Sequence, residues 1–139
     1  MEKIKEKIKV LVVDDHELVR ESIRLLLGLY DDIEVIGEAN NGKTAIDKAR
    51  ELVPNVVIMD IAMPIMDGLE AARNISKQIP NMKVIMLTQH GEKEYIQLSH
   101  QIGAAGFVPK TAVAKELVSV IRAAQEGHSF LYSLLQVQN

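Results

Sequence analysis

The stretch Asn55-Val56-Val57-Ile58-Met59-Asp60-Ile61-Ala62-Met63-Pro64-Ile65-Met66-Asp67-Gly68 decides how this chain is read. Residues 56–59 form a short, uninterrupted apolar run rich in β-branched side chains, bounded by Pro54-Asn55 and by Pro64. Such a run marks a strand buried on both faces of a parallel sheet. A carboxylate directly at its end, Asp60, is not there to pack. In an open α/β sheet, ligands and reactions collect outside the carboxyl ends of the strands. A lone Asp at such a place usually does no more than begin a turn. The weight of Asp60 therefore depends on its company.

Residues 8–13 read as a first strand that runs into Asp14-Asp15. Leu18, Val19, Ile23, Leu26 and Leu27 then recur at helical spacing, with Asp15 or His16 placed to cap that helix. Residues 33–39 are a second strand, and Asn40-Asn41-Gly42 is a turn and cap for a helix bearing Ala45, Ile46, Ala49 and Leu52. Beyond the central strand, a helix over about 68–78 carries Leu69, Ala72 and Ile75 on one face. Residues 84–87 are a fourth buried strand closing on Thr88. A weaker helix, roughly 92–102, follows Gly91, with Tyr95, Ile96, Leu98 and Ile102 as its apolar positions. A short fifth strand, Phe107-Val108, leads through Pro109-Lys110 to Thr111, which is placed to cap a last helix over 112–125. Gly127 is placed to stop it.

Five strands alternating with five helices predict a three-layer α/β sandwich around a parallel sheet. Right-handed crossovers put every strand's carboxyl end on one edge. Asp14, Asp15, Asp60, Thr88 and Lys110 all fall there. Three carboxylates together repel unless something positive sits among them. Mg2+, which takes a few carboxylate oxygens, a carbonyl and waters, is one candidate. Lys110 is the other, a point charge suited to a phosphate or to a carboxylate that will carry one. Together with the Thr88 hydroxyl, this is a set of groups for placing a phosphoryl group on Asp60.

These residues resemble the receiver domain of two-component response regulators, of the CheY-like, flavodoxin-like fold. The resemblance is carried by Val12-Val13-Asp14-Asp15, by Met59-Asp60-Ile61-Ala62-Met63-Pro64 with Asp67-Gly68, by Leu87-Thr88, and by Gly106-Phe107-Val108-Pro109-Lys110. They span about residues 8–126. It implies a five-stranded sheet in the order 2-1-3-4-5 and a receiver domain over 1–126, with 127–139 a tail or the start of a linker. It also implies that Asp60 accepts phosphate from a sensor histidine kinase, with Mg2+ held by Asp14, Asp15, Asp60 and the backbone carbonyl of Ala62. Thr88 and Phe107 would be the switch pair, the ring following the hydroxyl inward, and Lys110 would touch the phosphoryl oxygens. The 92–126 surface would relay the change, through phosphorylation-dependent homodimerisation or release of a following domain. The last helix and Phe130-Leu131 look like a receiver of the NarL/LuxR subgroup. DNA contact is then expected only through a C-terminal helix-turn-helix domain that these residues do not include.

Composition bounds the alternatives. The chain has 139 residues, 47% hydrophobic and 25% charged, which suits one globular domain with a proper core. It has no cysteine, hence no disulfide or thiolate metal site, which fits the cytoplasm. No apolar run is long enough for a membrane span. A net charge of −3 gives no general attraction to nucleic acid.

Gly37-Glu38-Ala39-Asn40-Asn41-Gly42-Lys43-Thr44 also matches the phosphate-loop pattern, and would make this a small nucleotide-binding domain. Against that, Glu38 stands where backbone amides should cradle anionic phosphate, and Asp14-Asp15 and Lys110 go unexplained. A haloacid-dehalogenase-type phosphatase would need a second acid where Ala62 stands. A flavin site is disfavoured by 4% aromatic content and by acids where a cofactor phosphate would lie. His16 reads as a helix-start residue rather than a ligand. Ala62 and His90 are candidates for setting the phosphoryl lifetime.

Overall fold

The apolar runs read from the sequence become the strands of one sheet. The computed structural model describes residues 6–89 and 93–128. The elements are β1 (Ile8–Val13), α1 (Glu17–Leu27), β2 (Ile33–Ala39), α2 (Gly42–Leu52), β3 (Val56–Asp60), α3 (Gly68–Gln78), β4 (Lys83–Thr88), α4 (Lys93–Gln101), β5 (Gly106–Pro109) and α5 (Val113–Gln125). All neighbouring strands are parallel, in the order β2-β1-β3-β4-β5, as the resemblance implied.

Because side chains alternate across a strand, each buried strand feeds two cores. Leu11, Val13, Val57, Met59, Val84, Met86 and Phe107 face one side, with Ala45, Ala49, Ala72, Ile75 and Ile96 of α2, α3 and α4. Val10, Val12, Val56, Ile58, Ile85, Leu87 and Val108 face the other, with Ile23, Leu27, Leu117, Val120 and Ile121 of α1 and α5. This double coverage is why the strands read as unbroken apolar runs. Truncating a wholly buried member such as Ile58 to Ala would cost roughly 2–5 kcal/mol.

The register positions the site. Val13 pairs with Met59, Asp60 with Leu87, and Thr88 with Pro109. The residues immediately beyond or at these ladder ends are Asp14, Asp60, Thr88 and Lys110. The chain reverses its direction of progress between β1 and β3, and the crevice at such a switch point is where open α/β sheets bind ligands.

Several local expectations are corrected. The first strand's partner β2 carries an irregularity, since Val10 pairs with Val35 but Leu11 with Gly37. Gly37 and Glu38 thus lie inside β2, and only Asn40-Asn41 joins it to α2. A Cβ on Gly37 would lie 2.6 Å from Leu52 Cδ1, so that glycine serves helix packing. No loop exists there to wrap a phosphate. Neither Asp15 nor the His16 side chain caps α1, because His16 occupies the cap position while its ring turns to Asp14. Thr111 does not cap α5 either: Lys110–Ala112 form a 3-10 turn, and α5 starts after Ala112 without a side-chain cap.

Other local readings hold. Asn41 accepts from Thr44 N at 2.9 Å and caps α2. Gly127, at φ +87, stops α5, with Gly127 N–H bonded to Ala124 O and His128 N–H to Ala123 O. That pair is the Schellman arrangement. The readings that fall on residues 2–5, on His90, Gly91 and Glu92, and on Phe130 and Leu131 lie outside the described residues. Among the described residues no helix is long and apolar enough to cross a membrane.

Candidate functional site

The groups gathered by the strand ends meet at one cleft. Asp14 is wholly buried, Asp60 and Thr88 nearly so, and Asp15 stands at the rim. A cavity of about 190 Å³ opens over them, lined by His16, Asp60, Ile61, Ala62, Thr88, Gln89, Tyr95 and Lys110. Lys110 Nζ lies 2.8 Å from Asp14 Oδ2 and 3.4 Å from Asp60 Oδ1. The other oxygen of Asp60, Oδ2, is buried with no hydrogen-bond partner among the described residues. Asp14 Oδ2 meets the ammonium outside hydrogen-bond alignment.

Burial is the main reason that the Asp60 carboxyl is pushed up from 3.8 to about 6, with Asp14 adding to the rise and Lys110 opposing it. Burial alone would lower the Lys110 ammonium, but its contacts with Asp14 and Asp60 prevail and raise it. The lysine is thus held charged, and Asp60 is the group left short of compensation.

Asp14 is fixed from three sides. Its Oδ1 accepts from the His16 backbone N–H at 2.9 Å, an Asx-type turn. The same oxygen lies 3.0 Å from His16 Nδ1, which is also 3.1 Å from Asp15 Oδ1. Its backbone carbonyl accepts from Arg20 at 2.7 Å. Beside Asp60, the following loop is closed by Ile61 N–H to Leu87 O and Gly68 N–H to Ile61 O, at 3.0 and 2.8 Å. Gly68 must be glycine, since a Cβ would stand 1.9 Å from Asp60 O.

Asp14, Asp15, His16 and Asp60 each offer a donor atom within 4.8 Å of the others. Three carboxylates, one with an orphaned buried oxygen, fit a hard divalent cation such as Mg2+. Phe107 is wholly buried in the core beside α4. Three residues were undervalued in the sequence. His16 belongs to the acidic cluster, Tyr95 lines the cleft, and Arg20 grips Asp14. Tyr95 gave an apolar-face signal only, and Arg20 gave none beyond a charged helix position.

Comparison with protein families matches residues 10–122 to the response regulator receiver domain. This chain belongs to that family. The receiver is 43% identical over 122 residues to the response regulator protein VraR of Staphylococcus epidermidis, covering 88% of this chain and 58% of VraR. The chain thus spans little more than half the length of that relative. Among solved structures, the receiver is similar to a two-component response regulator of the LuxR family from Aurantimonas sp. SI85-9A1. The TM-score is 0.86 and the identity 30%, over 90% of this chain and 89% of that one. It is similar also to a DNA-binding response regulator of the LuxR family from Staphylococcus aureus. There the TM-score is 0.79 and the identity 31%, over 85% and 98% of the two chains. The domain is accordingly the regulatory receiver of a two-component response regulator.

Proposed function

We propose that this receiver is a phosphoacceptor switch in which Asp60 takes a phosphoryl group from a sensor histidine kinase. The observation that carries the reading is Asp60 itself, a buried carboxylate at the sheet's switch point with one oxygen that has no partner among the described residues. An Asp60 oxygen forms the new bond to phosphorus as the phosphorus–nitrogen bond of the kinase phosphohistidine breaks, and the departing imidazole keeps the bond's electron pair and takes up a proton.

Asp14, Asp15 and Asp60, with the Ala62 backbone carbonyl, would hold Mg2+. When bound, the ion supplies positive charge against the negative charge of the transferring group. The chain's own residues do the rest. His16 and Arg20 hold Asp14 in place, and Lys110 supplies a fixed ammonium beside the acceptor. Burial of Asp60 limits its access to bulk water, and the Thr88 hydroxyl, at the end of β4 and lining the cleft, would bond a phosphoryl oxygen. Thr88 and Phe107 would form the switch pair, and the burial of the Phe107 ring beside α4 is what supports giving it that part.

The 92–126 surface would carry the output by homodimerisation. In a chain of the relatives' length it would act on transcription, in keeping with the description of the LuxR-family relative as a DNA-binding response regulator.

Intact-mass analysis after incubation with acetyl phosphate tests the reading. One phosphoryl adduct that needs Mg2+ and vanishes in Asp60→Asn supports it. The absence of any adduct in the parent overturns it.

A further inference from the structure

Arg20 is the least expected part of the site. It lies one turn into α1, its side chain is only 17% exposed, and it makes two bonds that join separate elements. One goes to the Asp14 carbonyl at 2.7 Å, and the other runs from Nε to Glu38 Oε1 of β2 at 3.2 Å. Glu38 is itself anchored, because the Lys48 ammonium of α2 donates to its backbone carbonyl. The Asp14 amide is tied to the same strand, through Ala39 O at 3.1 Å. The Asp14 backbone is therefore held at its N–H by β2 and at its C=O by Arg20 of α1, which is itself bonded to β2 through Glu38.

We infer that Arg20, braced by Glu38, is a positioning residue that sets the Asp14-Asp15 turn for divalent-cation binding. The inference rests on the reading of the acidic cluster as a Mg2+ site. Its physical basis is simple. Two neighbouring acids must aim at one small ion against their own repulsion, so the backbone between them needs an outside hold. A guanidinium suits this, because its planar fork serves two acceptors in a fixed geometry and remains charged. It also places positive charge at the Asp14 carbonyl, where its other bond reaches Glu38.

The test is calorimetric titration of the whole chain with Mg2+ for the parent, Arg20→Ala, Arg20→Lys, Glu38→Gln and the Arg20→Ala/Glu38→Gln double variant. Arg20→Ala should weaken Mg2+ binding roughly tenfold or more, as loss of an outer partner of a metal ligand does. Arg20→Lys and Glu38→Gln should weaken it less. The double variant should match Arg20→Ala, because Glu38 acts only through Arg20. Acetyl-phosphate labelling of Arg20→Ala should need Mg2+ concentrations raised in proportion to its weakened binding.

A folded Arg20→Ala with parent-like affinity, or additive losses in the double variant, overturns the brace. Should Arg20→Ala not fold, the two milder variants decide: weakened binding supports the brace, and parent-like binding in both overturns it. A parent that takes up no Mg2+ overturns the metal site and this inference together.

Discussion

Lys110 sides with Asp14: its ammonium is 2.8 Å from Asp14 Oδ2 but 3.4 Å from Asp60 Oδ1. Asp60 is therefore the carboxylate with the weaker hold on the lysine that lines the cleft. Replacing Lys110 by Met keeps the stem and removes the charge from two buried acids. Without Mg2+ at neutral pH, Lys110→Met should lose about 1–3 kcal/mol of stability, the cost of leaving buried polar groups unpaired. Urea unfolding with and without Mg2+ checks this. The loss should shrink when the cation is present, and an equal loss in both conditions would contradict the shared-charge account.

Asp60 gives stability a sign that is unusual for an acid. Its carboxyl titrates near 6 in the folded chain against an ordinary 3.8, so the folded state binds the proton more tightly than the unfolded state does. Asp60's contribution to stability should then fall as pH rises from about 4 to 6 and level off above, where both states are ionised. Asp60→Asn removes this penalty. In Mg2+-free buffer it should stabilise the fold at pH 7.5 by on the order of 1–3 kcal/mol, with the difference from the parent vanishing near pH 4. Paired urea titrations across that range measure it. A pH-independent difference would mean that burial does not perturb Asp60.

Gly68 meets the Asp60 carbonyl too closely for any side chain. Gly68→Ala must push the backbone at Asp60 or shift the start of α3. We expect a loss of about 2–4 kcal/mol, in the range of overpacking and imposed backbone strain, and a marked fall in acetyl-phosphate labelling. Thermal unfolding and intact-mass analysis read the two effects separately.

Ala62 is exposed and lines the cleft with a bare methyl, which cannot orient a water toward a phosphoryl group on Asp60. Ala62→Asn supplies an amide at that place. Loss of the phosphoryl group should become severalfold faster, followed by intact mass after removal of the donor. An unchanged decay would remove Ala62 from the determinants of lifetime.

Most of the site was legible because the sheet is parallel and covered on both faces. Continuous apolar runs mark such strands, and their ends name the cleft residues without any knowledge of packing. The fixed register then brings Asp14, Asp60, Thr88 and Lys110 together. What stayed hidden was whatever depends on where a side chain turns. His16 reads as a helix start, and it is one, but its ring bonds an acid instead of capping. Glu38 looks like an obstacle inside a phosphate loop, and is instead one end of a brace to Arg20. Thr111 has the right chemistry for a cap, but a 3-10 turn places it inside the helical entry instead. Spacing registers none of these: the Arg20–Glu38 bond joins separate elements, whereas the His16 ring and the Thr111 turn are decided by local side-chain and backbone geometry.

The loop after Asp60 bears one further consequence. It is stitched to β4 through Ile61, closed on itself through Gly68, and tied to α2 where Gly42 N–H meets Met66 O at 3.1 Å. Across the cleft, α4 is a nine-residue helix with two buried side chains, Ile96 and Ser99. The cleft is built like a vise with one jaw bolted down. A strain arising at Asp60 would meet three backbone ties on the loop side and a lightly buried α4 on the other, and should be relieved toward β4, α4 and β5. If Asp60 takes a phosphoryl group, the asymmetry of the two walls would already set the direction of the response.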